Sequence, residues 1–182
     1  MSSLLTHPAP VIALGVAFGL HRIPPRLFAL AVFFALVPDL DAVSFRFGIS
    51  YADWLGHRGF SHSLFFALLC GAFAAWIAPW LRASRFLSGT LIFLVVVSHI
   101  ALDALTNGGL GVAAFWPLSD TRHFFPWQPI QVSPISPKVF FTTQKGFRVI
   151  VSELLWVWLP LMLAAFTCRA FMRKKRIPRQ RR

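Results

Sequence analysis

Only six acidic side chains and six histidines occur among 182 residues, so the places where these types gather are where chemistry is to be sought. His99 and Asp103, in SHIALD, stand four apart and on a helix project from the same side, one turn from each other. That spacing lets one imidazole and one carboxylate grip the same cation; it equally suits a hydrogen-bonded pair between helices. Asp39 and Asp41, in PDLD, offer hard oxygens of the kind zinc, magnesium or manganese accept. Alternatively they are solvated acids behind a helix-ending proline. His57 and His62, in HRGFSHS, are five apart and share no helical face. To act together they need a loop running into a helix, with Ser61 as its cap; otherwise they are two interfacial histidines. Arg58 between them carries a planar fork of donors suited to phosphate or carboxylate. His7 stands alone near the N-terminus. Glu153, the one glutamate, lies a turn or two inside an apolar run, where an acid needs a partner. Asp53, Asp120 and His123 read as surface or cap residues, and Arg122 as a candidate anion contact.

The elements that must position these groups are membrane helices. The chain is 57% hydrophobic and 13% charged, with 20 Phe and 7 Trp, more apolar surface than a soluble domain of this length hides. Its apolar runs lack the alternation of a barrel strand, and helices are the other structure that satisfies its own backbone in hydrocarbon. The expected fold is all-α, a polytopic transmembrane bundle of about four to five segments. These run from about Pro8 to Leu20, Leu27 to Val37 (ending at Pro38), Ser63 to Leu81, Leu87 to Thr106 and Gly146 to Phe171. The first two are short for a ~30 Å core and form either a tilted pair or a hairpin that dips in without crossing. The proline- and aromatic-rich stretch from Asn107 to Lys145 reads as an ordered cap or interfacial segment. Cys70 and Cys168 fall in apolar runs and read as small core residues. The N-terminus has no basic opening, so no cleaved signal peptide is expected.

The net charge of +12 resembles a nucleic-acid signal until its distribution is read. Eight of the eighteen basic residues lie at or after Arg169, directly behind an apolar run. Such a cluster retains a tail in the cytoplasm and attracts anionic lipid; no nucleic acid is expected as partner. Arg22 and Arg26, Arg82 and Arg85, and the tail fall on one side if the segments cross in turn. The domain plan is a single integral membrane domain, 1–171, and a basic cytoplasmic tail, 172–182. On this topology all six acids and five histidines come to the outer face, and His21 alone lies in the opposite loop. The topology came from Arg and Lys only, so the convergence is independent of it.

An N-terminal histidine, PDLD, HRGFSHS, HIALDALTNGG and WPLS, in this order over roughly His7 to Ser119, resemble the YdjM-like membrane-bound metal-dependent hydrolases. That family is distantly similar to the zinc-dependent phospholipase C and single-strand nuclease group, all-helical proteins that act on phosphoesters. The resemblance implies metal ligation by His7, Asp39, Asp41, His57, His62, His99 and Asp103, with Glu153 a further candidate, and a divalent metal, foremost zinc. The expected function is hydrolysis of a lipid or lipid-linked phosphoester in the inner membrane by a metal-activated water. Asp41 would be the general base, and Arg58 would stabilise developing charge. An ion-coupled transporter, with His99, Asp103 and Glu153 in a relay, and a metal-stabilised scaffold are the rival readings.

Overall fold

Each apolar run becomes helix, and a few residues decide where each one stops. The computed structural model describes residues 1–19 and 22–176, with all their side chains except those of residues 137 and 174–176. His21 and the end of the expected tail, 177–182, lie outside the described residues. Helix α1 is Ala9–Phe18, closed by Gly19 at a φ of 83°. Helix α2 is Pro25–Phe34. The sequence predicts a stop at Pro38; instead the chain tightens into a 3-10 helix, Val37–Phe47. A proline has no N–H to continue the α ladder, and the bond from Asp39 N to Leu36 O, at 3.2 Å, takes the tighter i→i+3 form.

Helix α3, Leu64–Trp76, is capped by Ser63, whose Oγ accepts from Phe66 N at 3.0 Å. The expected cap, Ser61, is used elsewhere. A break at Ile77 leads to the short α4, Ala78–Leu81. Helix α5, Arg85–Ala104, starts under a Ser84 cap. After the long loop come α6, Pro137–Thr142, and α7, Gln144–Glu153. A π turn, Leu154–Trp158, continues α7 into α8, Leu159–Arg176. Among the described residues no strand forms, only the isolated bridges Thr106–Ile130 and Val112–His123.

Three stretches are long and apolar enough to cross a membrane: Pro25–Phe47, Arg85–Ala104 and Gln144–Arg173. Helices α1 and α3, of 10 and 13 residues, span only ~15 and ~20 Å. The core joins Leu27 and Ala31 of α2, Ala67 and Cys70 of α3, and Ile92 and Val96 of α5. Helices α3 and α5 meet at glycines: a Cβ on Gly71 would stand 2.9 Å from Gly89 O. Small residues allow this approach where lipid offers no hydrophobic drive between helices. Meanwhile Leu68, Trp76, Phe86, Leu163 and Phe166 face outward, ruinous in water and natural against acyl chains.

At one end the loops form an aromatic apron. Trp54 stacks on Trp116 with centroids 5.4 Å apart, Phe60 packs edge-on to Trp116, and Phe47, Leu118 and Trp127 are exposed. Aromatic rings of this kind settle at the membrane–water boundary.

Candidate metal centre

The apron end is also where the buried ionisable groups meet. The turn before α1 brings His7, the 3-10 helix brings Asp39 and Asp41, the loop and 3-10 turn before α3 bring His57, Arg58 and His62, and the last turns of α5 bring His99 and Asp103. His7, Asp39, His99 and Asp103 each offer a donor atom, all within 4.8 Å of one another. His62 joins them: its Nε2 is 3.1 Å from His99 Nε2, 3.3 Å from Asp103 Oδ2 and 3.8 Å from Asp39 Oδ1. All five are buried.

Hydrogen bonds on the far side of the His99 and His62 rings fix what faces inward. His99 Nδ1 donates to Ala35 O at 2.8 Å; a carbonyl only accepts, so the neutral ring turns the lone pair of Nε2 to the centre. His62 Nδ1 lies 3.0 Å from Asp41 Oδ2, which orients Nε2 the same way. This is the carboxylate–histidine arrangement that orients metal ligands. With both rings neutral, two lone pairs would confront each other at 3.1 Å, a repulsion that a proton on His62 or a shared cation relieves. Asp39 sharpens the case, for both of its buried oxygens lack a hydrogen-bond partner, and an unpaired buried carboxylate is expensive. Its neighbours are His7 Nε2 at 3.3 Å and His99 Nε2 at 3.7 Å, and His7 stacks on His99 at 3.6 Å between centroids. The residues present thus fit a divalent cation: nitrogen and oxygen donors converge, and the two Asp39 oxygens make no hydrogen bond. Burial alone would disfavour a charged His62, but the Asp41 and Asp103 carboxylates outweigh it and push this ring up to about 9.

The other expected ligands stand one layer out. Asp41 Oδ1 is 2.5 Å from His57 Nδ1, while Oδ2 accepts from Arg58 N at 2.9 Å and Ser61 Oγ at 2.5 Å as well as facing His62. Asp41 is saturated by these contacts. His57 is buried, and its Nε2 has no partner. Arg58 sits at a φ of 63°, a region that non-glycine residues rarely adopt, with its guanidinium wholly buried. It donates to Asp103 Oδ2 at 3.0 Å, Gly108 O at 3.0 Å and Thr106 Oγ1 at 2.8 Å. Its fork thus grips a carboxylate of the protein. Gly109, at φ +89°, leaves the space: a Cβ there would lie 3.0 Å from Arg58 Nη1.

Glu153 is not in the cluster. Its carboxylate binds Ser3 N and Ser3 Oγ and accepts from Thr6 Oγ1 at 2.8 Å, pinning the turn that carries His7. Arg122 meets no anion; its donors satisfy the carbonyls of Tyr51, Asp53 and His57, which the loop would otherwise bury unpaired. Asp53 caps its own loop at Leu55 N. Sequence reasoning missed Ser3 and Thr6, and also Ser2, whose N–H donates to Asp103 Oδ1 at 2.7 Å and whose Oγ lies 3.0 Å from His7 Nε2, although the polar opening SSLLT before His7 is itself a signal in so apolar a chain. It also missed Ala35 O, for which no side-chain signal exists.

A helical membrane protein that gathers three histidines and two aspartates at one end of its bundle is the class these features define. The chain matches the family model described as YdjM inner membrane protein over residues 1–177, and it belongs to that family. It is 43% identical over 164 residues to inner membrane protein YbcI of Escherichia coli (strain K12), covering 90% of this chain and 94% of that protein. No solved structure matches significantly. The family and the long apolar helices together make this an inner membrane protein.

Proposed function

We propose that the chain is a membrane-bound metal-dependent hydrolase. His7, Asp39, His62, His99 and Asp103 would hold a divalent cation, zinc by the mixture of nitrogen and oxygen donors. The meeting of His62 Nε2 and His99 Nε2 at 3.1 Å, beside the unpartnered Asp39 oxygens, carries the proposal. A cation bound there supplies Lewis acidity and brings the pKa of water toward ~7. Asp41 fixes Nδ1 of His57, so the lone pair on His57 Nε2 is the one fit to take a proton from water. Asp41 then holds the base and orients His62, and Arg58 sets the position of Asp103. The aromatic apron supports a substrate at headgroup depth, a lipid or lipid-linked phosphoester. Basic residues at the opposite end support an outer-face centre and a cytoplasmic tail.

The test is purified protein in detergent, assayed for bound zinc and for turnover of a chromogenic phosphodiester and a phospholipid. His62→Ala with His99→Ala should lose both metal and turnover; His57→Gln should keep metal and lose turnover. Full activity in metal-free protein would overturn the proposal. Stoichiometric zinc with no turnover of any phosphoester would leave the metal-stabilised scaffold. Ion-coupled transport predicts flux in proteoliposomes. It is disfavoured because the buried ionisable groups, among the described residues, gather at one end instead of lining a path.

A further inference from the structure

At the other end of the bundle the chemistry reverses. All six acids of the protein lie elsewhere, whereas Arg22, Arg169 and Arg173 line one small cavity of about 120 Å³. That cavity shares Ala17 and Phe18 with a groove of about 400 Å³ between α1, α5 and α8. The groove walls are almost purely apolar: Ala13 and Ala17 from α1, Leu91 and Leu94 from α5, Ala164 and Cys168 from α8. It follows α1 from Pro10 to Phe18, which at ~1.5 Å per residue is ~12 Å. A single leaflet of a ~30 Å core is about that deep.

We propose that this groove holds one acyl chain of an anionic phospholipid, with its phosphate on Arg22, Arg169 and Arg173. The length and apolarity of the groove suit the chain, and the guanidiniums at its mouth, paired with no carboxylate among the described residues, suit the head. Arg169 is held at that mouth by its Nη1 bond to Val16 O, 3.2 Å long. This leaves the rest of its planar fork for bidentate phosphate contact. Nearby Arg26 is occupied: it donates to Trp80 O at 2.9 Å and lies over the Trp80 ring. The arginines stand at the end of the groove away from the metal centre. On α5 the groove reaches from Leu91 to Ser98, beside His99, but its mouth at Phe18 is eight helical positions from Pro10, or ~12 Å, so the phosphate would be held away from the cation and the lipid bound structurally and not as substrate.

Native mass spectrometry of the full-length protein, with equal amounts of dioleoyl phosphatidylglycerol and dioleoyl phosphatidylcholine, tests this. The expected result is one retained phosphatidylglycerol per chain. Arg22→Gln with Arg173→Gln should weaken that retention by about 25-fold, from about fivefold per arginine. Ala164→Phe fills the groove while keeping the arginines, and should abolish retention with bound metal unchanged. Should Ala164→Phe not fold, Leu94→Trp fills the same space from the opposite wall. Equal retention of the two lipids would overturn the proposal, as would retention indifferent to a filled groove. A dimer that dissociates on Ala164→Phe would assign the groove to a second copy of the chain and equally overturn it.

Discussion

Replacing Asp41 by Asn separates the two roles this residue could play. If Asp41 orients His62, metal binding weakens moderately; if it is itself a ligand, Asp41→Asn behaves like Asp39→Asn. Asp41 Oδ2 faces His62 Nδ1 at 3.0 Å and also takes Arg58 N and Ser61 Oγ, while Oδ1 takes His57 Nδ1. An amide has one acceptor oxygen for these two sets of donors, and its NH2 must then face an N–H or hydroxyl. His62 survives as a ligand but loses its anionic partner. Losing such an orienting carboxylate weakens metal binding by ~10–100-fold, or ~1.4–2.7 kcal/mol. Asp39→Asn should be more damaging, because the oxygens of Asp39 have no hydrogen bond in the protein and face only the histidines of the centre. A chelator-competition titration of zinc at pH 7 in detergent measures both. Equal losses in the two variants would refute the layered reading and restore Asp41 as a ligand; an unchanged affinity in Asp41→Asn would refute the orienting role.

Other consequences follow from the same contacts. His62, raised to about 9 from 6.5, contributes stability to the metal-free protein that is full below pH 6.5 and lost as pH rises through about 9. Melting curves at pH 7 and 9.5 check this. Zinc uptake at pH 7 should release a proton from the same ring, read by calorimetry in two buffers of different ionisation enthalpy. Glu153→Ala leaves the donors of Ser3 and Thr6 unpaired, at ~1–3 kcal/mol each at most. It should lower both Tm and zinc affinity, through His7, with Glu153→Gln milder. Gly71→Val drives a side chain against Gly89 O and should cost ~1–3 kcal/mol, read as a lower Tm with zinc affinity falling as α3 leaves α5.

The helices were legible because hydrocarbon leaves the backbone so few choices: runs such as Leu87 to Thr106 have one solution, and α5 is it. Their ends were less legible. Pro38 removes a donor, which forbids the α ladder but permits the 3-10 continuation that carries Asp39 and Asp41 to the centre. Chain pattern alone could not choose between these. Convergence of the His and Asp residues was legible from charge distribution, since few groups of that kind survive in an apolar chain without company. The layering was not. His57 and His62 look alike in HRGFSHS, and both meet Asp41 through Nδ1; only the turn at Phe60–His62 brings the Nε2 of His62 to the centre and leaves His57 outside it. Arg58 looked like a substrate contact because an arginine fork suits phosphate and carboxylate equally. The Asp103 carboxylate, 45 residues on, claims it.

Charge balance argues for the number of metal ions. In the buried cluster the side chains of Asp39, Asp41 and Asp103 carry three negative charges against the Arg58 guanidinium, which pairs with Asp103; burial pushes the Met1 amine beside Asp103 down toward its neutral form, so two negative charges remain. An imbalance of that size is not tolerated at low dielectric. Protons or a divalent cation must close it, and the raised His62 is one of the protons that the metal-free protein takes up. One divalent ion replaces two such protons and brings the side-chain sum to zero. A second would leave two positive charges buried, and could enter only together with an anion such as a phosphoester. Elemental analysis of protein purified without phosphate should therefore find one zinc per chain, rising only when phosphate is added. Two per chain in the absence of any anion would break the argument.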